Sequence, residues 1–363
     1  MNSKNKIFED LFILEMTNNH LGDPDRALRI IEEYAPIVRY NNVRAAIKLQ
    51  FRNIDSFIHK DFLNSDIRQI KRSIETQMTK KEYKKIVKHI RKNNMIPLAA
   101  PFDEASVDLI SELDLPMIKI ASANANDWVL LNKVAKTKKP VMVSFGGTSS
   151  NDCDALVEFF QNRDIPIAVN HCVCMYPTED EDLQLNQIDF LKKRYPDVPI
   201  GFSTHENTNW TNSMVASYAK GVRLWERHID IEADGFKVAK YSSLPHQIDE
   251  WFVAYNKARE ICGHPATARK HATKNEQAFL DNYIRGVYLK KDMKAGAVLT
   301  ENDIYCALPL QKGQVSVREV MLGFCGMRLS KDVKKDKPLD VCSVDNEYSR
   351  NKKMAKYINN RGI

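Results

Sequence analysis

The amino-acid sequence predicts an α/β protein, a (β/α)8 barrel followed by a small β-rich domain. The first observation is that eight short apolar runs alternate with amphipathic helical patterns over roughly 230 residues, which is the pattern and size of such a barrel. The second is that polar residues close most of the short runs, as expected at the C-terminal mouth of a barrel. The third is that short β-like runs and turns replace the helical patterns after residue 283.

The predicted barrel elements alternate regularly along the chain. Predicted strands cover residues 11–15, 45–50, 96–99, 117–121, 140–144, 165–171, 200–203 and 221–228. Predicted helices cover residues 25–38, 80–92, 105–112, 127–135, 152–161, 185–195 and 210–219. A doubly wound open sheet is the alternative, and it is weakened because no glycine-rich G-x-G-x-x-G segment follows an early strand.

Polar side chains at the predicted strand ends form a set. Its members are Glu15, Lys48 with Gln50, Lys119 with Ser122, Ser144, His171, Ser203 with His205, and Glu226 with His228. One polar strand end carries no information, since strand ends meet solvent. Because the ends of parallel barrel strands converge on one mouth, the whole set predicts a ring of ligands around a charged substrate.

The last two predicted strands carry the clearest chemical signal. Residues 201–205 (GFSTH) and 224–228 (LWERH) each end in a histidine after an apolar run. In a strand, side chains two residues apart point to the same face, so Glu226 and His228 would project together. Neighbouring strands would bring both imidazoles to one ion, so we expect His205 and His228 to hold a divalent metal with open coordination positions.

Composition and charge exclude some classes of function. Hydrophobic residues make up 43% and charged residues 28% of the 363 positions, which is ordinary for a globular protein. The net charge of +7 is spread through mixed-sign stretches such as 80–85, which are typical of solvated helix faces. No basic stripe is interleaved with aromatic residues, so nucleic-acid binding is not expected.

The seven cysteines are scattered and odd in number. Residues 1–10 are polar and charged, so we expect no signal peptide, and no stretch approaches the roughly 20 apolar residues of a membrane span. We therefore expect reduced cysteines, a cytoplasmic location and no membrane partner.

Several segments, in chain order, resemble motifs of the sialic acid synthases and their relatives for other nonulosonic acids. The segments are 15–23 (EMTNNHLGD), 47–50 (IKLQ), 100–103 (APFD), 118–122 (IKIAS), 171–178 (HCVCMYPT), 201–205 (GFSTH) and 226–228 (ERH). They are similar to the family motifs E-I-x-x-N-H-x-G-D, V-K-x-Q, T-P-F-D, K-I-x-S, H-C-x-x-x-Y-P-T, G-x-S-D-H and E-K/R-H. Residues 287–304 are similar to the antifreeze-like (SAF) domain of the family, so the resemblance spans nearly the whole chain.

The resemblance implies a domain organisation. A TIM-barrel synthase domain is expected at residues 1–265, a linker at 266–282 and a SAF domain at 283–345. Residues 346–363 form a polar tail, which we expect to be a frayed helix or disordered. In this family the SAF domain caps the site of the partner subunit, so a domain-swapped homodimer is implied.

The family joins phosphoenolpyruvate to an open-chain sugar aldehyde and releases phosphate, giving a 3-deoxy-2-keto acid with Mn²⁺ or Mg²⁺ as cofactor. By resemblance, the candidate catalytic residues are Glu15, for proton transfer or ordering of water, and Glu226, for substrate hydroxyls or the metal shell. Phosphate and carboxylate groups need cations and hydrogen-bond donors. The candidate substrate-binding residues are Lys48, Gln50, Lys119, Ser122, Asn124, Ser144, Tyr176, Ser203, Lys237 and Gln311.

The chain departs from the family pattern mainly on the acceptor side. Asn124 replaces a Glu, and Cys174 replaces an Asn or Ser. The stretch around Lys237 lacks the Asp of the family motif G-P-D-H-x-x-S, and Gln311 or Lys312 stands in for the SAF Arg. We therefore expect an acceptor other than N-acetylmannosamine. Two alternatives stay open: another metal-dependent barrel aldolase or isomerase, and a non-catalytic sugar-binding homologue.

Overall fold

A closed barrel of parallel strands forms the first part of the chain. The computed structural model describes residues 3–233, 235–264, 268–322 and 327–363. The strands pair in chain order, and the first also pairs with the eighth, which closes the barrel. They are β1 (Leu11–Thr17), β2 (Arg44–Phe51), β3 (Ile96–Pro101), β4 (Ile118–Ile120), β5 (Val141–Ser144), β6 (Ile167–Cys172), β7 (Ile200–Thr204) and β8 (Leu224–His228). The predicted (β/α)8 barrel is confirmed.

Helices connect the strands, as parallel pairing requires. They are α1 (Pro24–Tyr40), α2 (Ile54–Phe57), α3 (Arg68–Glu75), α4 (Lys80–Lys92), α5 (Glu104–Glu112), α6 (Trp128–Lys136), α7 (Ser150–Gln161), α8 (Asn186–Arg194), α9 (Trp210–Ala219) and α10 (Pro245–Cys262). The sequence patterns did not predict α2 and α3, because both helices are too short to show a clear helical period. These two helices form an insertion between β2 and α4.

Side chains on β1 alternate between the inside and the outside of the barrel. Leu11 and Ile13 belong to an apolar cluster of inward-facing residues, whereas Phe12 and Leu14 belong to the larger cluster shared with the helices. Glu15 is the next inward position, since side chains on a strand alternate with period two. The barrel interior is therefore apolar at its base and polar at its C-terminal mouth.

Aromatic packing supports the closure between β1 and β8. The ring of Phe12 stacks on Trp225 with centroids 5.0 Å apart. It also meets Phe252 and Tyr255 of α10 edge-on, at centroid distances of 5.0 and 4.8 Å. All four side chains are buried. Aromatic pairs of this geometry add to the stabilisation from burial alone, so α10 holds together the two strands that complete the barrel.

The second compact unit follows the barrel, the two units covering Met1–His264 and Pro265–Ile363. The predicted limits at residues 265 and 266 lie outside the described residues. Over 268–322 and 327–363, strands form two antiparallel pairs, β9 with β10 and β11 with β12. The elements are α11 (Lys274–Asp281), β9 (Gly286–Leu289), β10 (Ile304–Ala307), α12 (Val317–Leu322), β11 (Arg328–Leu329), β12 (Val344–Asp345), α13 (Glu347–Arg350) and α14 (Lys352–Asn359).

The polar tail differs from the expectation of fraying or disorder, since α13 and α14 lie within it. Ile358 is fully buried. Arg361 donates from Nη1 to Oε1 of Glu319 at 2.8 Å, and both side chains are largely buried. One apolar contact and one ion pair therefore anchor a segment whose overall composition is polar. Throughout the described ranges, no helix combines the length and apolarity needed to cross a membrane.

Candidate active site

The inward-facing polar residues of the barrel strands meet at the C-terminal mouth. Oε1 of Glu226 accepts hydrogen bonds from Lys119 Nζ at 2.8 Å and from Ser203 Oγ at 2.9 Å. The same oxygen lies 3.1 Å from Lys48 Nζ. Lys119 Nζ also donates to Ser144 Oγ at 2.8 Å. All five residues are buried, so Glu226 and the two lysines neutralise and position one another.

Glu15 lies on the other side of Lys48. Its Oε2 is 2.9 Å from Lys48 Nζ, and its Oε1 accepts a hydrogen bond from Gln50 Nε2 at 3.0 Å. Nε2 of His228 lies 3.3 Å from Oε2 of Glu15. Glu15 therefore contacts an ammonium, an amide and an imidazole, which is a suitable position for a group that orders water or moves a proton.

The charges of this cluster determine its protonation. Burial opposes ionisation of Glu15, but the adjacent His228, in the protonated form that it takes at acidic pH, and Lys48 favour ionisation and lower the pKa of Glu15 overall. Burial likewise opposes ionisation of Glu226, and Lys119 and Lys48 outweigh it, so the pKa of Glu226 is also lowered. For Lys48, burial is outweighed by the two glutamates and the pKa is raised. Burial lowers the pKa of Lys119. Two carboxylates thus face two ammonium groups, and their formal charges cancel.

The two predicted metal-binding histidines are adjacent, with ring centroids 5.3 Å apart. Nδ1 of His205 lies 2.9 Å from the carbonyl oxygen of Val173. A carbonyl can only accept, so Nδ1 carries the hydrogen and Nε2 keeps its lone pair. Nδ1 of His228 lies 3.0 Å from Thr17 Oγ1. Burial lowers the pKa of His205 to about 3 and also lowers that of His228, so both rings are neutral near pH 7.

The donor set of this pair fits a divalent cation. Neutral imidazoles with an oriented second nitrogen are common metal ligands. In the part of the chain that the structure describes, no group of three or more His, Cys, Asp or Glu side chains is arranged to hold a metal ion. His205 and His228 would therefore supply two ligands and leave the remaining positions to substrate or solvent.

Two tyrosines form an aromatic wall beside the histidines. The ring of Tyr176 lies 4.1 Å from His205, and that of Tyr241 lies 5.1 Å from His228, centroid to centroid. The two tyrosine rings are 5.2 Å apart. Tyr176 is 51% exposed, so the wall faces the open mouth. Tyr241 was not among the predicted residues, because it lies in the loop after β8, where no strand period marks its direction.

Ser122 and Cys174 meet at the edge of the mouth next to Tyr176, which hydrogen bonds with the Cys174 thiol. Ser122 Oγ accepts a hydrogen bond from Gly146 N at 3.0 Å. A Cβ atom on Gly146 would lie 2.3 Å from Cys174 Sγ, so a larger residue at this position would displace that thiol. Hydrogen bonds, from Cys172 first and from Ser122, lower the pKa of Cys174 to about 6. This edge therefore carries a hydroxyl next to a thiol that ionises below neutral pH.

Some predicted residues are not joined to this cluster. Lys237 is exposed in the loop after β8, and Asn124 is buried with no hydrogen-bond partner for its Oδ1 among the described residues. Gln311 belongs to the second unit, where its Nε2 donates to Tyr288 OH at 3.1 Å. His171 points outward, so the inclusion of His171 among the ligands was wrong. Its Nε2 lies 2.7 Å from Leu183 O, because the inward positions of β6 are the even-numbered ones.

Two arginines near the mouth were missed by the sequence analysis. Arg52 donates from Nη1 to Asn18 Oδ1 at 3.1 Å and also hydrogen bonds with Gln50 Oε1 through Nη2. Arg72 of α3 donates from Nη2 to Asn19 Oδ1 at 3.1 Å. Arg52 follows Gln50 by two residues. Because side chains two apart in a strand share a face, the sequence could have placed Arg52 beside Gln50. Arg72 reaches the mouth only through the unpredicted insertion.

The chain is similar in sequence to a known protein family and to named proteins. The model of the NeuB family matches residues 41–266. Human N-acetylneuraminate-9-phosphate synthase is 25% identical over 340 residues, which cover 92% of each chain. The N,N'-diacetyllegionaminic acid synthase of Campylobacter jejuni is 25% identical over 306 residues, covering 82% of this chain and 90% of that protein.

A solved structure is similar over the same length. It is the crystal structure of a Chromobacterium violaceum protein assigned as spore coat polysaccharide biosynthesis protein E. It is 32% identical, with a TM-score of 0.89 over 92% of this chain and 99% of that chain.

Proposed function

Because the chain belongs to the NeuB family, we propose that it condenses phosphoenolpyruvate with an open-chain sugar aldehyde to give a 3-deoxy-2-keto acid of the nonulosonic type. The human and Campylobacter relatives are named as synthases of N-acetylneuraminate 9-phosphate and diacetyllegionaminic acid, which supports an enzyme of this kind. The reaction forms one carbon–carbon bond and releases inorganic phosphate.

One observation carries the proposal: a buried cluster of two lysines and two glutamates lies directly beside two neutral imidazoles. Lys48 and Lys119 would bind the phosphate and carboxylate of phosphoenolpyruvate, assisted by the hydroxyls of Ser144, Ser203 and Ser122. The hydroxyl of Ser203 and the ammonium of Lys119 now share Oε1 of Glu226, so an incoming anion competes with that oxygen.

The charge balance favours a resident divalent cation, Mn²⁺ or Mg²⁺, held by His205 and His228. Because the carboxylates cancel the ammonium charges, the cluster alone offers phosphoenolpyruvate no net positive charge. A bound divalent cation would supply that charge and would polarise the aldehyde as a Lewis acid.

The chain's own residues would serve the remaining steps. C3 of phosphoenolpyruvate attacks the aldehyde carbon, whose oxygen takes up a proton and becomes a hydroxyl. Water then adds to C2, and the carboxylate of Glu15 accepts the proton that this water loses. Breakage of the bond between C2 and the phosphate oxygen, with transfer of the C2 hydroxyl proton to the departing phosphate, releases inorganic phosphate and leaves the 2-keto group. Gln50 and Lys48 hold Glu15 ready for this role.

We further propose an acceptor other than N-acetylmannosamine and a homodimeric assembly. The changed positions at Asn124, Lys237 and Gln311 motivate the first proposal, and the family resemblance motivates the second. Glu226 would serve the acceptor hydroxyls through Oε2, which has no hydrogen-bond partner among the described residues. Light scattering of the purified chain would test the assembly.

The test is phosphate release from phosphoenolpyruvate with a panel of sugars and Mn²⁺, with product mass measured. We expect a product equal in mass to the sugar plus pyruvate for at least one sugar. His205→Asn should abolish it, and His246→Asn, at an exposed histidine, is the matched control. Phosphoenolpyruvate left unconsumed with every sugar would overturn the proposal, and N-acetylmannosamine as the best acceptor would overturn the acceptor assignment.

A further inference from the structure

Two guanidinium groups meet at one side of the barrel mouth. Arg52 follows β2, and Arg72 lies on α3 of the insertion. They bind the side-chain oxygens of consecutive residues in the loop after β1, Asn18 and Asn19, each at 3.1 Å. Asn19 is itself held, because its Nδ2 donates to Ile229 O at 2.8 Å. The two cations are therefore fixed side by side.

Neither guanidinium has a carboxylate partner within ion-pair distance among the described residues. Their recorded acceptors are neutral amide oxygens. Burial, together with the charge of Arg72, lowers the pKa of Arg52 to about 10. Like charges held together away from bulk water cost free energy unless an anion neutralises them. Among the described residues the two arginines thus have no carboxylate in direct ion-pair contact, and Glu15 and Asp103 offset the charge of Arg52 only from beyond that distance.

A buried histidine lies close to both arginines. His20 is fully buried, and burial followed by the charges of Arg72 and Arg52 lowers its pKa to about 3. Its Nδ1 accepts a hydrogen bond from Gly22 N at 3.1 Å, so Nε2 carries the hydrogen. That N–H has no partner among the described residues. This N–H is therefore a further hydrogen-bond donor beside two guanidinium groups, which are themselves donors only.

The arginine pair is connected to the reaction cluster. The guanidinium of Arg52 packs on Phe102, 4.2 Å from the ring centroid, which limits its rotation. Its Nη2 donates to Gln50 Oε1, and Gln50 Nε2 donates to Glu15 Oε1 at 3.0 Å. A ligand with its reacting carbon near Glu15 would therefore extend over Gln50 toward Arg52.

We propose that Arg52 and Arg72 bind an anionic oxyacid group, a phosphate monoester or a carboxylate, on the end of the acceptor sugar remote from its aldehyde. This rests on the proposed function, since it identifies the acceptor class for the same site. The planar fork of arginine matches both groups in bidentate geometry. Phosphoenolpyruvate is assigned to Lys48 and Lys119, so the arginines remain available for the second substrate.

Equilibrium binding tests this without turnover. Calorimetry on the full chain with Mn²⁺ compares mannose, mannose 6-phosphate and mannuronate, and phosphoenolpyruvate is titrated separately. We expect at least one charged sugar to bind about tenfold more tightly than mannose, a preference of about 1.4 kcal/mol. Arg52→Gln and Arg72→Gln should each remove most of that preference, and phosphoenolpyruvate affinity should stay within about twofold. Arg68→Gln, at an exposed arginine of α3, is the matched control.

The two charged sugars distinguish the sources of the anion, since a preference for only one of them identifies phosphate or carboxylate. Equal binding of all three sugars would overturn the inference. A parallel loss of phosphoenolpyruvate affinity in both variants would also overturn it, by assigning the arginines to the first substrate. Turnover of neutral sugars with no gain from charge would sustain the proposed function and reject only this subsite.

Discussion

The ammonium of Lys119 lies 2.8 Å from the carboxylate of Glu226, and both side chains are almost completely inaccessible to solvent. Water cannot satisfy either charge, so Lys119 depends on Glu226, and Glu226 depends on Lys119 together with Lys48. The pair also lies where the fold brings β4 and β8 together across the barrel. The chemistry and the stability of the mouth are therefore linked at this contact.

Replacing Glu226 by Leu should destabilise the protein by about 3 kcal/mol, because it leaves the buried ammonium of Lys119 without its partner. Urea unfolding followed by circular dichroism measures the change. Glu260→Leu removes the exposed glutamate that pairs with Lys257 and is the control, for which we expect an unchanged midpoint. If Glu226→Leu and Glu260→Leu changed the free energy of unfolding equally, the folded state would not depend on the contact between Lys119 and Glu226.

His205 should make the unfolding free energy depend on pH between about 3 and 6.5. Its pKa is about 3 in the folded protein and near 6.5 when unfolded, so only the unfolded chain binds the proton in this range. Stability therefore falls as the pH is lowered, by up to about 1.4 kcal/mol per pH unit for this group. His205→Asn should reduce the slope measured by urea unfolding, and His246→Asn should not. An unchanged slope in His205→Asn would contradict a neutral imidazole.

Mn²⁺ should bind to the isolated chain through His205 and His228. Electron paramagnetic resonance measures free Mn²⁺ directly, so no activity is needed. We expect one saturable site that is lost in His205→Asn and in His228→Asn, because each substitution removes one of two protein ligands. The exposed His264, replaced by Asn, provides a matched comparison. Saturable Mn²⁺ binding that persists in both His205→Asn and His228→Asn would place the cation elsewhere.

Cys174 should react rapidly with iodoacetamide at neutral pH, with a rate that is half-maximal near pH 6, since the thiolate is the reactive form. Cys172 should resist, because hydrogen bonding to Cys174 and burial raise its pKa well above the usual value. Peptide mass spectrometry after timed quenching follows both residues. In Cys174→Ser the fast phase should disappear, and its persistence would assign it to another cysteine.

The strand period explains what the sequence could and could not predict. Glu15, Lys48 and Glu226 could be placed because side chains on a strand alternate faces, whatever the rest of the chain does. His171 failed by the same rule, since its neighbours Asn170 and Cys172 hold the inward positions of β6.

Residues outside the strands were less predictable, because a loop has no fixed period. Tyr241 reaches His228 from the loop after β8. Arg72 is twenty-two residues beyond Gln50 in the sequence, and it reaches the mouth on a helix of eight residues. Contacts of this kind depend on the tertiary path of the chain, which local patterns do not encode.

The insertion that carries α3 has a consequence for protein engineering. The residues assigned to phosphoenolpyruvate lie on or just after barrel strands, whereas Arg72 lies on α3, in the insertion between β2 and α4. Exchanging residues 52–79 for the equivalent loop of a relative would transfer both arginines of the proposed anion subsite together and leave the strand residues in place. A library confined to this loop would therefore vary the proposed anion subsite separately from the residues proposed to bind phosphoenolpyruvate.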